Sequence, residues 1–279
     1  MSNYRLEGKT FVIDDYDRMP AFSSFLPGLA GVKGIPMWTF YTNRGQGMNS
    51  FGIGNKGNAI MEFNSANTAF ENTQVKGFRT FLKIDGQYYE PFFQYEDDAK
   101  RSIRMNKNSF KIIENNTKYG IEVTVNYYVL PNESIGALVR QVSVKNTGDK
   151  AKNIEIVDGL PKIITYGIAN GEFKEMSNLF KSWAYIKNID NKVPYYTLRA
   201  STKDSAEVSD VEGGYYYLTI KDNELQDVIY DVDTVYGYDL SLMKPVNFVE
   251  GGIDKVLAKK QCFANKVPCG FTPFKEVVE

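Results

Sequence analysis

Ile121-Glu122-Val123-Thr124-Val125-Asn126-Tyr127-Tyr128-Val129 decides the fold class. Ile121, Val123, Val125 and Tyr127 alternate with Glu122, Thr124 and Asn126, the two-residue period of a strand with one buried and one wet face. Outward on the amino side, Ser109 to Ile113 forms a second strand across the turn Asn115-Asn116-Thr117-Lys118-Tyr119-Gly120. On the carboxyl side, Ala137 to Lys145 alternates again; Asn146-Thr147-Gly148-Asp149 turns the chain and Ile154 to Val157 returns.

The pattern continues toward both ends. Phe11 to Ile13, Met37 to Tyr41, Met48 to Ile53 and Ile60 to Phe63 read as strands, and Thr42 to Gly47 as a turn. Thr80 to Ile84 and Gln87 to Tyr89 flank Asp85-Gly86, a dipeptide suited to a type I′ hairpin turn. Later strands are expected at Tyr195 to Ala200, Tyr215 to Ile220 and Asp227 to Tyr230. Two prolines and three glycines between Phe25 and Pro36 argue against a helix or a central strand there, so this stretch is expected to be an ordered loop. Phe173, Met176, Phe180 and Trp183 fall at helical spacing, which predicts one short helix between Gly171 and Ile186 that packs on the sheets. The sum is an all-β chain, a large sandwich with one short helix. The last residues, Phe271 to Glu279, read as a strand cut short, so residues 1–279 are expected to be one β-sandwich domain and a fragment of something larger.

Composition narrows the function. The chain has 279 residues, 33 basic and 34 acidic side chains in no basic stripe, and 14% aromatic residues. Nucleic acid is therefore not an expected partner. No apolar run reaches membrane-spanning length, and from the start, Met1 to Arg5, no signal peptide is expected. Cys262 and Cys269 are read as free thiols of a cytoplasmic protein. Histidine is absent, which removes Ser-His and Cys-His nucleophiles, histidine metal sites and the commonest acid or base near neutral pH.

Motifs are few. Gly45-Gln46-Gly47 and Gly52-Ile53-Gly54 lie between strands and read as turns or bulges rather than nucleotide loops. Acidic clusters at Asp14, Asp15 and Asp17, at Glu96, Asp97 and Asp98, and at Asp231 and Asp233 read as solvated turns; no metal or cofactor is expected. Trp38 to Gly47 holds the most suggestive chemistry. Trp38 and Phe40 share one strand face and Tyr41 lies on the other, while Arg44 and Gln46 are planar hydrogen-bonding groups in the turn. Two readings are open: an aromatic platform with polar partners for a sugar, or a core tryptophan with Arg44 paired to a loop carboxylate.

Several stretches resemble the amino-terminal region of glycoside hydrolase family 94, the cellobiose phosphorylase family. They are Phe11-Val12-Ile13-Asp14-Asp15-Tyr16-Asp17, Phe22-Ser23-Ser24-Phe25-Leu26-Pro27-Gly28, Gly34-Ile35-Pro36-Met37-Trp38, Asn43-Arg44-Gly45-Gln46, Ser50-Phe51-Gly52, Ile60-Met61-Glu62-Phe63, Gly77-Phe78-Arg79-Thr80-Phe81 and Val144-Lys145-Asn146-Thr147-Gly148. The wording is most like the 1,2-β-oligoglucan phosphorylases. The resemblance implies a β-supersandwich of the galactose mutarotase-like type. A helical linker and an (α/α) barrel would follow it, with the general acid, an aspartate, in that barrel; no position of this chain corresponds to it.

In that family inorganic phosphate, a co-substrate and not a cofactor, attacks the anomeric carbon of a β-glucan. It thereby replaces the water and base of an inverting hydrolase and yields glucose 1-phosphate. The implied role of this chain is non-catalytic: to help form a homodimer and to shape the sugar site of the missing barrel. Trp38, Tyr41, Arg44, Gln46 and Arg79 are the candidate sugar or interface contacts. The alternatives are a free-standing carbohydrate-binding module and a structural interaction domain.

Overall fold

The computed structural model describes residues 3–279. Its core lies between antiparallel sheets. One has six strands, in the order Tyr4–Glu7, Thr10–Asp14, Ala99–Met105, Ser109–Asn116, Ile121–Val129 and Leu138–Asn146. The other has five, in the order Ile229–Asp231, Pro268–Val278, Lys152–Leu160, Arg79–Ile84 and Gln87–Tyr89. The alternation read from the sequence is realised: Ile121, Val123, Val125 and Tyr127 are all buried, and they share one core with Leu82, Ile84, Ile154 and Ile156 of the five-stranded sheet. A four-stranded sheet, Ser23–Ala30, Ile35–Thr42, Met48–Ile53 and Ala59–Met61, adds Leu26, Met37, Tyr41, Met48, Phe51 and Met61 to it. Asp85 and Gly86 both have positive φ, 48° and 84°, the type I′ geometry expected, and Ile84 pairs with Gln87.

Three expectations need correction. The stretch expected as a loop is a hairpin: Ser23–Ala30 pairs with Ile35–Thr42 from Ser23↔Thr42 to Ala30↔Ile35. Ser23–Ala30 is an edge strand, where a proline's missing N–H leaves no ladder bond unmade on the open side. The return after Asn146 is a crossover and not a hairpin, because Leu138–Asn146 closes the six-stranded sheet while Lys152–Leu160 lies inside the five-stranded one.

Finally, the short helix expected after Gly171 is an α-helix, Asn170–Met176, continued as the 3₁₀ turns Ser177–Ser182, and Ile186 belongs to a strand. Phe173 and Phe180 meet edge to face at 5.0 Å in a buried cluster, as the spacing implied. Three further α-helices, Ala66–Lys76, Val232–Tyr236 and Val246–Leu257, join it. The last two cover the second face of the five-stranded sheet, packing Val232, Val235, Tyr236, Phe248, Ile253 and Val256 on Phe81, Val157 and Phe271. Val246–Leu257 is kinked at Gly252, whose φ is 63°; a Cβ there would lie 2.3 Å from Glu155 Oε2, the atom that accepts the Ile253 N–H at 2.7 Å. Among the described residues no helix is long and apolar enough to cross a membrane.

Candidate functional site

The five residues singled out from the sequence do not converge. Tyr41 turns inward, stacks on Phe110 at 4.2 Å and gives its hydroxyl to Met105 Sδ, so its ring offers no open face to a sugar. Gln46 is buried and donates to Thr80 Oγ1 at 3.1 Å while its carbonyl oxygen accepts from Arg140. Arg79 lies on the other face of the five-stranded sheet. It forks onto Glu90 at 2.6 and 2.8 Å, donates to the carbonyls of Leu242 and Met243, and is covered by the rings of Phe81 and Phe93, each 4.8 Å away. Burial therefore takes Tyr41, Gln46 and Arg79 out of reach of a ligand. Arg44 is half-buried and, instead of pairing with a carboxylate, donates to the carbonyls of Asn43 and Met19 at 2.8 and 3.2 Å. Trp38 is half-buried, its indole N–H on the Asn55 carbonyl at 3.0 Å.

Arg79–Glu90 is one of three similar buried pairs. Arg101 binds Glu114 at 2.6 Å and Asp17 at 2.9 Å, and Glu114 also accepts from the Tyr89 hydroxyl and the Phe92 N–H. Burial pushes the Glu114 carboxyl above the usual range, against the pull of Arg101. Arg140 binds Asp158 through Nη2 at 2.7 Å and Nε at 3.1 Å. Asp158 also takes the Thr80 hydroxyl, which the register places directly beside it. In each pair the carboxylate is held by an arginine and further donors, an arrangement that locks elements together and leaves no lone carboxyl to serve as acid or base. The acidic surface clusters are likewise engaged: Asp17 with Arg101, Asp97 with the Tyr95 hydroxyl, Asp233 with Lys266. Asp231 caps the helix Val232–Tyr236 by accepting the Asp233 N–H at 3.1 Å.

Two open places lie beside residues 38–49. The first is the outer face of the four-stranded sheet. Phe25 and Leu29 are 60% and 66% exposed on the edge strand, and Phe40, Trp38 and Phe63 continue the surface half-buried. Ring centroids run 6.3 Å from Phe25 to Phe40, 6.0 Å from Phe40 to Trp38 and 5.8 Å from Trp38 to Phe63, at interplanar angles of 56°, 53° and 87°. A pyranose lies flat on a ring face; rings tilted against one another make a ridged apolar surface, the packing geometry of a protein contact.

The second is a cleft between the helix Ala66–Lys76, the start of the strand Met48–Ile53 and the segment after Leu160. It is small, with about 20 Å³ of space, and is lined by Asn49, Glu62, Asn64, Asn72, Lys76 and Lys162, with Met61, Ala69 and Ile164 as apolar wall. Among the described residues the side chains of Asn49, Asn64, Asn72, Glu62 and Lys162 make no hydrogen bond, and the Asn49 amide is not among the buried groups that lack a partner: it opens to the solvent of the cleft. The Lys162 ammonium sits 4.4 Å above the Phe173 ring. Burial lowers its pKa; Glu62 opposes that shift, and the charges of Lys76 and Lys181 add to it.

Sequence reasoning passed over this cleft because its helix presents Ala69, Asn72, Thr73 and Lys76 at helical spacing. That stripe is polar, so a search for apolar periodicity does not see it. Among the described residues no three His, Cys, Asp or Glu side chains converge as metal ligands. No model of a known protein family matches the chain, and no curated protein matches it.

Proposed function

We propose that the chain is a non-catalytic β-sandwich module of an inverting β-glucan phosphorylase, of the β-1,2-oligoglucan or cellobiose type, and that it acts as an interface domain. The observation that carries the interface role is the ridged apolar face of Phe25, Leu29, Trp38, Phe40 and Phe63. A contiguous exposed apolar surface on a well-packed domain marks a contact. The enzyme class rests on the sequence wording of Phe22 to Gly28, Gly34 to Trp38 and Asn43 to Gln46. Those segments form the hairpin that bears the face and the turn beside it. The non-catalytic role is supported by the engagement of Glu90, Glu114 and Asp158 with arginines.

The occupant of the face is a second copy of this chain, consistent with the homodimers of the family. The missing barrel, where inorganic phosphate would cleave the glucan to glucose 1-phosphate, would be bordered by the same hairpin. Cys262 and Cys269, both unpaired, fit the reducing cytoplasm of such an enzyme.

The mass of the chain by light scattering over a concentration series tests this. The expected result is a dimer that the double substitution Phe25→Ser, Leu29→Ser converts to a monomer of unchanged thermal stability. A monomer at every concentration would remove the interface role. In parallel, incubation with β-1,2-oligoglucan and inorganic phosphate is expected to release no glucose 1-phosphate, and steady release would contradict the non-catalytic reading. Tight β-glucan binding by a monomer would make the chain a carbohydrate-binding module instead.

A further inference from the structure

We infer that the outer edge of the strand Leu138–Asn146 docks an extended segment of another protein, which adds one more antiparallel strand to the six-stranded sheet. This inference does not rest on the phosphorylase reading. Three observations carry it. First, the edge presents a row of unmade backbone hydrogen bonds. The Leu130 N–H donates to the Ala137 carbonyl and the Thr147 N–H to the Gly120 carbonyl, each at 2.9 Å. Bonded pairs recur at every second residue of an antiparallel ladder, so Val139, Gln141, Ser143 and Lys145 bond to the neighbouring strand Ile121–Val129. The N–H and C=O groups of Leu138, Arg140, Val142 and Val144 therefore point away from that strand, and among the described residues no backbone hydrogen bond reaches them. They recur about 6.8 Å apart, the repeat of an extended backbone.

Second, this edge lacks the devices that keep sheet edges from pairing. Tyr4–Glu7 has four residues, and Gln87–Tyr89, Ile229–Asp231 and Ala59–Met61 have three each. The longer edge strand Ser23–Ala30 carries Pro27. Leu138–Asn146 has nine residues, no proline and an unbroken register from Leu138↔Val129 to Asn146↔Ile121. Its inward-facing charge, Arg140, is held by Asp158 at 2.7 Å and does not bar a neighbour.

Third, the side chains specify the occupant. Leu138, Val142 and Val144 are half-buried at the rim of the core, so apolar side chains at alternate positions of an added strand would close the core on this side. On the other face Lys145 is exposed and makes no ion pair among the described residues. An acidic residue opposite it supplies the complementary charge. The partner that fits is a proline-free extended segment, apolar at every second residue and acidic where it meets Lys145. Ile121–Val129 has this pattern and meets the strand on its other edge with Glu122 opposite Lys145, so its sequence serves as the probe.

The test uses the whole chain and a synthetic peptide with the sequence of Ile121–Val129. Fluorescence anisotropy is expected to show saturable binding, and amide hydrogen exchange is expected to slow at Leu138, Arg140, Val142 and Val144. In the matching register the peptide's Val125 N–H faces Val142, while its Thr124 N–H faces solvent. N-methylation of the peptide at Val125 is expected to weaken binding about tenfold, and at Thr124 by less than about twofold. These two peptides test the edge with the protein unaltered. In the protein, Val142→Pro removes an N–H that has no partner in the fold, so the variant is expected to fold and to lose the peptide. No binding, equal affinity of the two methylated peptides, or slowed exchange elsewhere in the chain would each overturn the assignment. Slowed exchange at the same four amides on raising the protein concentration without peptide would make a second copy the occupant and overturn it as well.

Discussion

Asn43 and Asn49 stand six residues apart on either side of one turn, both buried, and their surroundings are opposite. Asn43 donates to the carbonyls of Tyr16 and Pro20 at 2.9 and 3.0 Å and accepts the Phe22 N–H at 3.0 Å, tying the hairpin to the segment that precedes it. Asn49 faces the cleft and bonds to nothing. The same contrast divides the buried charges. Arg79, Arg101 and Arg140 each hold a carboxylate and further oxygens; Lys162 holds none. Saturated polar groups build the frame, and those of the cleft open to solvent instead. Residue type alone does not separate the two classes.

Substitutions can break this comparison, the largest effect coming from the frame. Glu114→Ala leaves the Arg101 Nε–H, the Tyr89 hydroxyl and the Phe92 N–H without their buried acceptor. Chemical denaturation is expected to show a loss of about 4 kcal/mol, or no folded protein at all. A loss below about 1 kcal/mol would mean that water reaches the pair. Asn43→Ala is expected to cost about 3 kcal/mol, since two carbonyls and an N–H lose their partner.

Lys162→Met should move stability the other way, raising it by at most about 1 kcal/mol at pH 7, because a half-buried cation without a hydrogen bond is removed and its stem is kept. The sign of the pH dependence follows from the lowered pKa. The folded state disfavours the charged form, so the wild type is penalised below its folded pKa, and the penalty vanishes as pH rises past the ordinary lysine value of 10.5. The gap between the variant and the wild type should therefore close between those two values. A gap that is constant up to pH 11 would assign it to packing. Smallest of all, Asn49→Ala is expected to stay within about 0.5 kcal/mol of wild type, in contrast to its neighbour Asn43. An equal cost at both positions would erase the distinction.

The parts of the fold that rest on alternation were legible in the sequence. Ile121 to Val129, its partner from Ser109 and the Asp85-Gly86 turn stand where the pattern put them. What escaped has physical causes. Pro27 and Gly28 read as a loop because proline is barred from central strands, yet an edge strand accepts it. The helix Val246–Leu257 carries Gly251 and Gly252, poor helix formers, in its interior, and it bends around Glu155 instead of ending. Of the residues singled out from the sequence, Trp38 is the one that lies on the open aromatic face. Tyr41, Gln46 and Arg79 carry chemistry that suits a sugar equally well inside a protein, and only the third dimension shows that Phe110, Arg140 and Glu90 already engage them.

The most direct test of the interface role is amide hydrogen exchange at two protein concentrations, one below and one above the midpoint of self-association. Added protection at the higher concentration is expected in Ser23–Ala30, whose outer edge carries unpaired backbone groups, and around Trp38, Phe40 and Phe63, with none at the Asn49–Lys162 cleft. Protection confined to the six-stranded sheet, or a pattern identical at both concentrations, would contradict the claim that the outer face of this hairpin is the contact surface.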